Sequence, residues 1–197
     1  MIRMYQTNNP GLTIGGTQGV QLIMTVDSSY NTSRADGHGQ TGVTMHMGTE
    51  YGAFHAATVH QPIVTDSSTA SEGVGAHIGV RLALPKRYFF NELGYTQSEG
   101  SRIFMDNIPY MKTIIESKGP SERSKHILIR FQIVKEAFTD QEITLEHLHT
   151  SDMVADILTK SLGPTQFHKL RLVLLGVRPL QVPAAYTANI KPNISID

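Results

Sequence analysis

The sequence predicts an α/β fold that opens with an antiparallel meander of three β-strands, and three observations support this prediction. Short β-prone runs separated by turn residues occupy the first third of the chain. Helical spacing of apolar residues begins after Asp66 and recurs as far as Gly176, with two further strand-like runs between the helices. Glycine or proline separates most of these segments. The predicted order, β-β-β-α-β-α-α-β-α-α, is typical of an α/β domain.

The predicted meander follows a polar lead-in at residues 1–19, which is rich in glycine and asparagine. Its strands cover residues 21–26, 41–47 and 52–59, and each is rich in β-branched or aromatic residues. Gly48 lies where the second hairpin must turn.

A helix is predicted next, because Val74, Ile78 and Leu82 recur at four-residue spacing. Three glycines within this helix lower its intrinsic helix propensity, so contacts with the rest of the fold must stabilise it. The same glycines could loosen the helix. Pro85 should stop or kink this helix, which leaves residues 87–93 as a second helical piece.

The second half of the chain contains two predicted strands and four predicted helices. The strands cover residues 102–105 and 142–147, and the helices cover residues 107–118, 121–138, 152–162 and 165–175. Residues 177–197 contain three prolines and no periodicity, and are interpreted as a C-terminal tail. The domain should therefore extend over residues 20–176.

The composition predicts a folded, soluble, intracellular protein. Hydrophobic residues make up 40% of the 197 residues, which is enough to bury a core. Cysteine is absent, which excludes disulfides and thiolate metal ligands, and no apolar run is long enough to span a membrane. Basic and acidic residues number 17 each, so the chain lacks the positive surplus of a dedicated nucleic-acid-binding protein. Contact with nucleic acid would need a local basic cluster or bridging metal ions.

Four acidic residues lie at the ends of predicted strands or near the starts of predicted helices. Asp27 and Asp106 close two strands, Glu72 lies in the first turns of the first helix, and Asp156 lies one turn into a late helix. Carboxylates in such positions can converge, and their oxygen atoms suit Mg²⁺ or Mn²⁺. Two such ions about 4 Å apart can activate a water molecule and stabilise a leaving oxygen in phosphodiester cleavage. Because any chain with 17 acids has some at strand ends, an ordinary acidic surface is the alternative.

Seven short motifs surround these acids in a fixed order. They occupy residues 26–30, 40–42, 60–72, 92–94, 105–107, 124–130 and 152–160. Together they resemble the ribonuclease H region that ends copia-type LTR retrotransposon polyproteins, and the segment Ala-Asp-Ile-Leu-Thr-Lys at residues 155–160 is intact. The first 16 residues also resemble the segment that links polymerase to ribonuclease H in that family.

The resemblance implies a ribonuclease H-like fold, with a mixed five-stranded sheet and helices packed on both faces. It implies that Asp27, Glu72, Asp106 and Asp156 bind two Mg²⁺ or Mn²⁺ ions. The implied reaction is endonucleolytic hydrolysis of the RNA strand of RNA–DNA hybrids, as in retrotransposon reverse transcription. The implied partners are an RNA–DNA hybrid or structured RNA, together with a polymerase domain or a larger ribonucleoprotein assembly.

Further functional residues are predicted around the four acids. His149 lies near the place where related ribonucleases H keep a mobile histidine that helps product release, and an ordinary exposed histidine is the alternative. The residues predicted to contact nucleic acid are Asn107, Arg123, Lys125 and Arg130, and a plain solvated helix face is the alternative for the basic ones.

The sequence also departs from the family pattern. Ser29 and Tyr30 replace an aspartate and a tryptophan, and Ala70 replaces a glutamate. None of these positions is one of the four expected ligands. The alternative function is a catalytically inactive ribonuclease H-like domain, recruited as a structural or RNA-associated subunit of a larger assembly. Four intact acids favour the enzyme, whereas the altered neighbours and the balanced charge favour the subunit.

Overall fold

A computed structural model of the chain describes residues 11–12, 21–30, 36–116 and 125–183. Its elements are β1 (Leu22–Ser29), β2 (Gln40–Met47), β3 (Ala53–His60), α1 (Ser68–Glu92), β4 (Ser101–Met105), α2 (Ile108–Ile115), α3 (Lys125–Thr139), β5 (Ile143–His147), α4 (Asp156–Thr159) and α5 (Pro164–Leu174). A 3₁₀ turn at Thr150–Asp152 precedes α4. The predicted order of strands and helices is therefore confirmed in the part of the chain that the structure describes.

The five strands form one mixed sheet in the order β3-β2-β1-β4-β5. The meander β1-β2-β3 is antiparallel, whereas β4 is parallel to both β1 and β5. β1 is central, and all eight of its residues are buried. Because β1 and β4 are parallel neighbours, the carboxyl ends of these two strands lie at the same edge of the sheet.

Helices cover both faces of the sheet, as predicted. Successive side chains of β1 point to opposite faces, so Met24 and Val26 pack in the core beneath α1 and α3, whereas Ile23 packs with Met153 and Val173 on the other face. The methionines at positions 45, 105 and 153 are fully buried, in agreement with their interpretation as core residues.

The first helix, α1, is continuous over 25 residues, so the prediction that Pro85 ends it was wrong. A proline inside a helix costs about 3 kcal/mol. Packing outweighs this cost, because Val80 and Ala83 before the proline and Phe90 after it are all buried in one core. Residues 87–93 therefore belong to α1 and form no separate piece, apart from Leu93, which caps its C-terminus.

Two glycines of α1 allow it to lie close against β1. A Cβ atom at Gly75 would overlap Ser28 Oγ, and one at Gly79 would lie 2.9 Å from Val26 Cγ2. The glycines thus lower the intrinsic helix propensity but permit the contact that positions the start of α1 over the sheet.

The predicted helix over residues 152–162 was too long, because only Asp156–Thr159 is α-helical. Met153, Val154 and Ala155 are all fully buried. The backbone N–H of Ala155, which would bond to the carbonyl oxygen of Ser151 in a helix, donates instead to Thr25 Oγ1 at 3.1 Å. The chain instead turns through this segment, and α4 begins only at Asp156.

Two further observations concern the boundaries. β1 continues to Ser29, so Asp27 lies within the strand, opposite Gly42, and not at its end. Leu180, in the segment interpreted as a tail, is buried and donates a backbone hydrogen bond to Thr49 O at 2.7 Å. The packed part of the chain therefore extends past residue 176, and the predicted domain limits stay a prediction.

Most of the predicted lead-in and tail lies outside the described residues. Among the helices that are described, none combines the length and the apolar character needed to cross a membrane.

Candidate metal centre

Three of the four predicted ligands converge at one edge of the sheet. Asp27 of β1, Glu72 of α1 and Asp106, which follows β4, each offer a carboxylate oxygen, and these atoms lie within 4.8 Å of one another. The parallel pairing of β1 and β4 brings the two aspartates together. The close contact of α1 with β1 adds the glutamate. Three carboxylate oxygens so close together form a plausible ligand set for Mg²⁺ or Mn²⁺.

The electrostatic environment of Glu72 also favours the binding of a cation. Burial, followed by the charges of Asp27 and Asp106, raises the pKa of Glu72 to about 9. The backbone N–H of Ser28 donates a hydrogen bond to its carboxylate. The other oxygen, Oε2, is buried and has no hydrogen-bond partner among the described residues. A buried carboxylate oxygen without a donor needs either a proton or a metal ion.

The fourth predicted ligand, Asp156, is bridged to Asp27 by a lysine. Lys160 Nζ lies 3.0 Å from Asp27 Oδ1 and 2.9 Å from Asp156 Oδ1. Thr159 Oγ1 also donates to Asp27. Burial raises the pKa of Asp156 to about 6, although the hydrogen bond from Lys160 opposes this shift. Burial opposes the charge on Lys160, but its hydrogen bond to Asp156 and the charge of Asp27 raise the pKa of its ammonium above the usual value.

Lys160 was not among the predicted site residues, although it belongs to the motif at residues 152–160. Its position four residues after Asp156 could have indicated an ion pair, because side chains at this spacing meet on one helix face. Such pairs are common on solvated helices, so the spacing alone would not have separated this lysine from others.

His149 directly precedes a residue that contacts Asp106, and its ring is engaged in a turn. Thr150, the next residue, donates from Oγ1 to Asp106 Oδ2 at 3.1 Å. His149 Nδ1 accepts from the backbone N–H of Ser151 at 3.1 Å, so the imidazole caps the 3₁₀ turn. Its predicted role in product release stays a prediction.

Three of the four residues predicted to contact nucleic acid lie in the described part of the chain, at the start of α2 and on α3. Asn107 follows Asp106 directly and caps α2, where its Oδ1 accepts from Tyr110 N at 2.9 Å. Arg130 lies on α3 near His77 of α1. Lys125 is the first residue of α3, and Arg123 lies outside the described residues. Their contact with a nucleic acid stays a prediction.

A buried polar cluster behind Glu72 positions the start of α1. Gln61 Nε2 donates to Thr41 Oγ1 at 3.0 Å and to Ser71 O at 2.9 Å. Ser71 Oγ donates in turn to Gln61 Oε1 at 3.1 Å. Because Ser71 precedes Glu72, this cluster fixes the backbone that carries the glutamate. Gln61 was not predicted as a site residue, although it lies in the motif at residues 60–72.

The sequence matches no model of a protein family. Solved structures of similar fold include the following two. LC11-RNase H1, isolated from compost by a metagenomic approach, is 13% identical over 71% of this chain and 92% of that one, with a TM-score of 0.51. A foamy viral protease-reverse transcriptase in complex with an RNA/DNA hybrid is 12% identical over 84% of this chain and 24% of that one, with a TM-score of 0.50. At these identities the similarity confirms the predicted ribonuclease H-like fold and says nothing by itself about activity.

Proposed function

We propose that this chain is a copia-type ribonuclease H, which cleaves the RNA strand of RNA–DNA hybrids with the help of divalent metal ions. The observation that carries the proposal is the convergence of Asp27, Glu72 and Asp106 within 4.8 Å at the edge of a ribonuclease H-like sheet. The buried, unpaired oxygen of Glu72 supports the same function, because it leaves a coordination position for a cation.

The four carboxylates would hold two Mg²⁺ or Mn²⁺ ions. Asp27, Glu72 and Asp106 provide one set of ligands, and Asp27 with Asp156 provides the other. When bound, two such ions supply an activated water and stabilise the leaving 3′-oxygen. Asp27 belongs to both sets, so its carboxylate is central to the site.

Lys160 has a definite part in this arrangement. Its ammonium already neutralises Asp27 and Asp156, so it must move away from at least one carboxylate before a divalent ion is held between them. The displaced ammonium would then be free to contact a phosphate of the substrate, which adds salt-dependent affinity.

An RNA–DNA hybrid is the proposed substrate. The foamy viral neighbour was solved with such a hybrid, which supports this choice. A site of this kind recognises the backbone shape and the 2′-hydroxyl group instead of the base sequence. Because the chain carries 17 basic and 17 acidic residues, it would need local contacts with the substrate, and we assign these to Asn107, Arg123, Lys125 and Arg130. A polymerase domain or a larger ribonucleoprotein assembly would supply the rest.

A catalytically inactive subunit of a larger assembly is the second candidate. One observation favours it: the Lys160 ammonium bonds to both Asp27 and Asp156 and balances their charge within the chain. A fold that had lost its reaction could keep such an internal ion pair for stability.

Cleavage of a labelled RNA–DNA hybrid with Mg²⁺ or Mn²⁺ separates the two candidates. The proposal expects metal-dependent cutting of the RNA strand by the wild type and loss of cutting in Asp106→Asn. Asp140→Asn serves as the control, because Asp140 is an exposed acid outside the site. If the folded wild type neither cuts the hybrid nor binds Mn²⁺ in calorimetry, the enzyme proposal is wrong and the subunit is favoured.

A further inference from the structure

A chain of buried hydrogen bonds crosses the sheet behind the metal centre. Thr25 of β1, Thr44 of β2 and His46 of β2 are all fully buried. Thr25 and Thr44 are cross-strand partners, and their hydroxyl oxygens lie 2.7 Å apart. His46 Nε2 lies 3.2 Å from Thr44 Oγ1, and its Nδ1 lies 3.1 Å from the carbonyl oxygen of Tyr51. At the other end, the backbone N–H of Ala155 donates to Thr25 Oγ1 at 3.1 Å.

The chemistry of the two ends determines the direction of every bond in this chain. The carbonyl of Tyr51 can only accept, so His46 Nδ1 carries a hydrogen and donates to it. Burial lowers the pKa of His46, so the ring is neutral and its Nε2 must accept. Thr44 therefore donates to His46, and its oxygen accepts from Thr25. Thr25 in turn accepts from Ala155, so each of these groups has a partner.

Of the two ends of this chain of hydrogen bonds, the one at Ala155 matters most for the metal centre. Ala155 directly precedes Asp156 and is itself fully buried. Its N–H would lie in an apolar core without an acceptor if Thr25 lacked a hydroxyl, which is unfavourable for a buried donor. The carbonyl oxygen of Ala155 lies directly above Gly42, where no side chain occupies the space. The backbone before Asp156 is therefore held by a hydrogen bond on one side and by close packing on the other.

We propose that Thr25, Thr44 and His46 are positioning residues that hold the backbone at Ala155, and thereby place the Asp156 carboxylate for metal binding. The inference rests on the proposed function, because it assigns these residues to the same metal centre. They contact neither a metal ion nor a substrate, and they act only through Asp156. Groups that orient metal ligands in this way typically contribute about 10–100-fold to metal affinity.

The test compares Thr25→Val and Thr44→Val with two controls in the intact chain. Thr25→Ser keeps the hydroxyl and should restore the wild-type behaviour. Val134→Ala removes buried carbon atoms from α3, far from the chain of hydrogen bonds, and reproduces a loss of stability alone.

Two measurements are made on each variant. Calorimetry with Mn²⁺ should show an affinity lower by about tenfold for Thr25→Val and by a smaller factor for Thr44→Val, with no change for Thr25→Ser and Val134→Ala. In the metal-free protein, amide hydrogen exchange at Ala155, compared with that of other buried amides, should be faster in both valine variants but not in Val134→Ala. Both changes should be smaller in Thr44→Val than in Thr25→Val, because Thr44→Val leaves Thr25 Oγ1 in place as the acceptor for the N–H of Ala155.

The outcomes separate this inference from the proposed function. If folded Thr25→Val keeps the wild-type Mn²⁺ affinity and the wild-type exchange at Ala155, the positioning role is wrong. If the wild type binds no Mn²⁺ at all, the proposed function is wrong, and the positioning of Asp156 for a metal ion is wrong with it. Faster exchange with unchanged Mn²⁺ affinity would also overturn the inference, because these hydrogen bonds would then only stabilise the fold.

Discussion

The two halves of the candidate metal centre share Asp27 but differ in how their charges are balanced. In one half, the carboxylates of Asp27, Glu72 and Asp106 converge, and burial together with the charges of the two aspartates raises the pKa of Glu72 to about 9. In the other half, Lys160 lies between Asp27 and Asp156. The same repulsion between buried carboxylates is thus relieved by a proton in one half and by an ammonium group in the other.

This difference has a consequence for metal binding. A divalent ion entering the first half displaces a proton, so its affinity should rise with pH. An ion entering the second half must displace Lys160, whose pKa is raised, so that its ammonium stays charged near neutrality. Substitutions should therefore affect the two halves separately, except at Asp27.

The largest expected effect follows from substituting the shared residue. Asp27→Asn should lower cleavage of the hybrid on the order of a thousandfold, because it removes a charged ligand from both halves. In calorimetry this variant should lose both Mn²⁺ binding events, whereas Asp156→Asn should lose only one. Equal losses in the two variants would show that the site does not divide into two halves.

Gly42→Ala should damage the second half alone. A Cβ atom there would lie 2.7 Å from the carbonyl oxygen of Ala155 and 2.9 Å from Leu158 Cβ, so α4 would have to move. We expect the free energy of unfolding in urea to fall by about 2–3 kcal/mol. Gly163→Ala is the control, because a Cβ there meets open space and the φ angle is an ordinary −64°. Binding of the first Mn²⁺ ion should persist in Gly42→Ala, and its loss would contradict the separation of the halves.

The proton on Glu72 should appear in the pH dependence of stability. The folded protein keeps this proton up to about pH 9, whereas the unfolded chain releases it near the ordinary value of 4.5. The folded state therefore binds more protons between these values, and the stability of the metal-free wild type should fall as the pH rises through this window.

Glu72→Gln should remove this slope. Its free energy of unfolding should exceed that of the wild type by about 2 kcal/mol near pH 8, and the difference should shrink towards pH 5. Thermal unfolding in EDTA at several pH values measures this. Asp156, whose pKa is about 6, affects both proteins equally and leaves the comparison above that pH undisturbed. Parallel pH profiles for the two proteins would rule out a protonated Glu72.

The smallest effect should come from Lys160→Met. The ammonium is 37% exposed, so after allowance for screening we expect a loss of only about 1 kcal/mol in the metal-free protein. Because the competing cation is gone, Mn²⁺ should stabilise this variant more than the wild type. Lys169→Met is the matched control: Lys169 is 40% exposed and pairs with Asp152 outside the site. An equal response of the two variants to Mn²⁺ would mean that Lys160 does not compete with the metal.

Much of this molecule is predictable from local sequence patterns. Alternating and four-residue spacings of apolar side chains identified all five strands and most helices, because these spacings match the geometry of the elements themselves. The acids Asp27, Glu72, Asp106 and Asp156 could be singled out because they lie at the ends of predicted strands or near the starts of predicted helices. The family resemblance added their assignment as the ligands of two metal ions.

Other features depend on tertiary packing and hydrogen bonds, and the local sequence patterns by themselves predicted none of them. The helix α1 continues through Pro85 because Phe90 packs into the same core as Val80. The segment directly before Asp156 is not helical, because the backbone N–H of Ala155 bonds to a side chain of β1. The hydrogen bond from Ala155 to Thr25 joins residues 130 positions apart. Propensity and periodicity describe the chain over a few residues, whereas the site is completed by packing and hydrogen bonds that exist only once the sheet has formed.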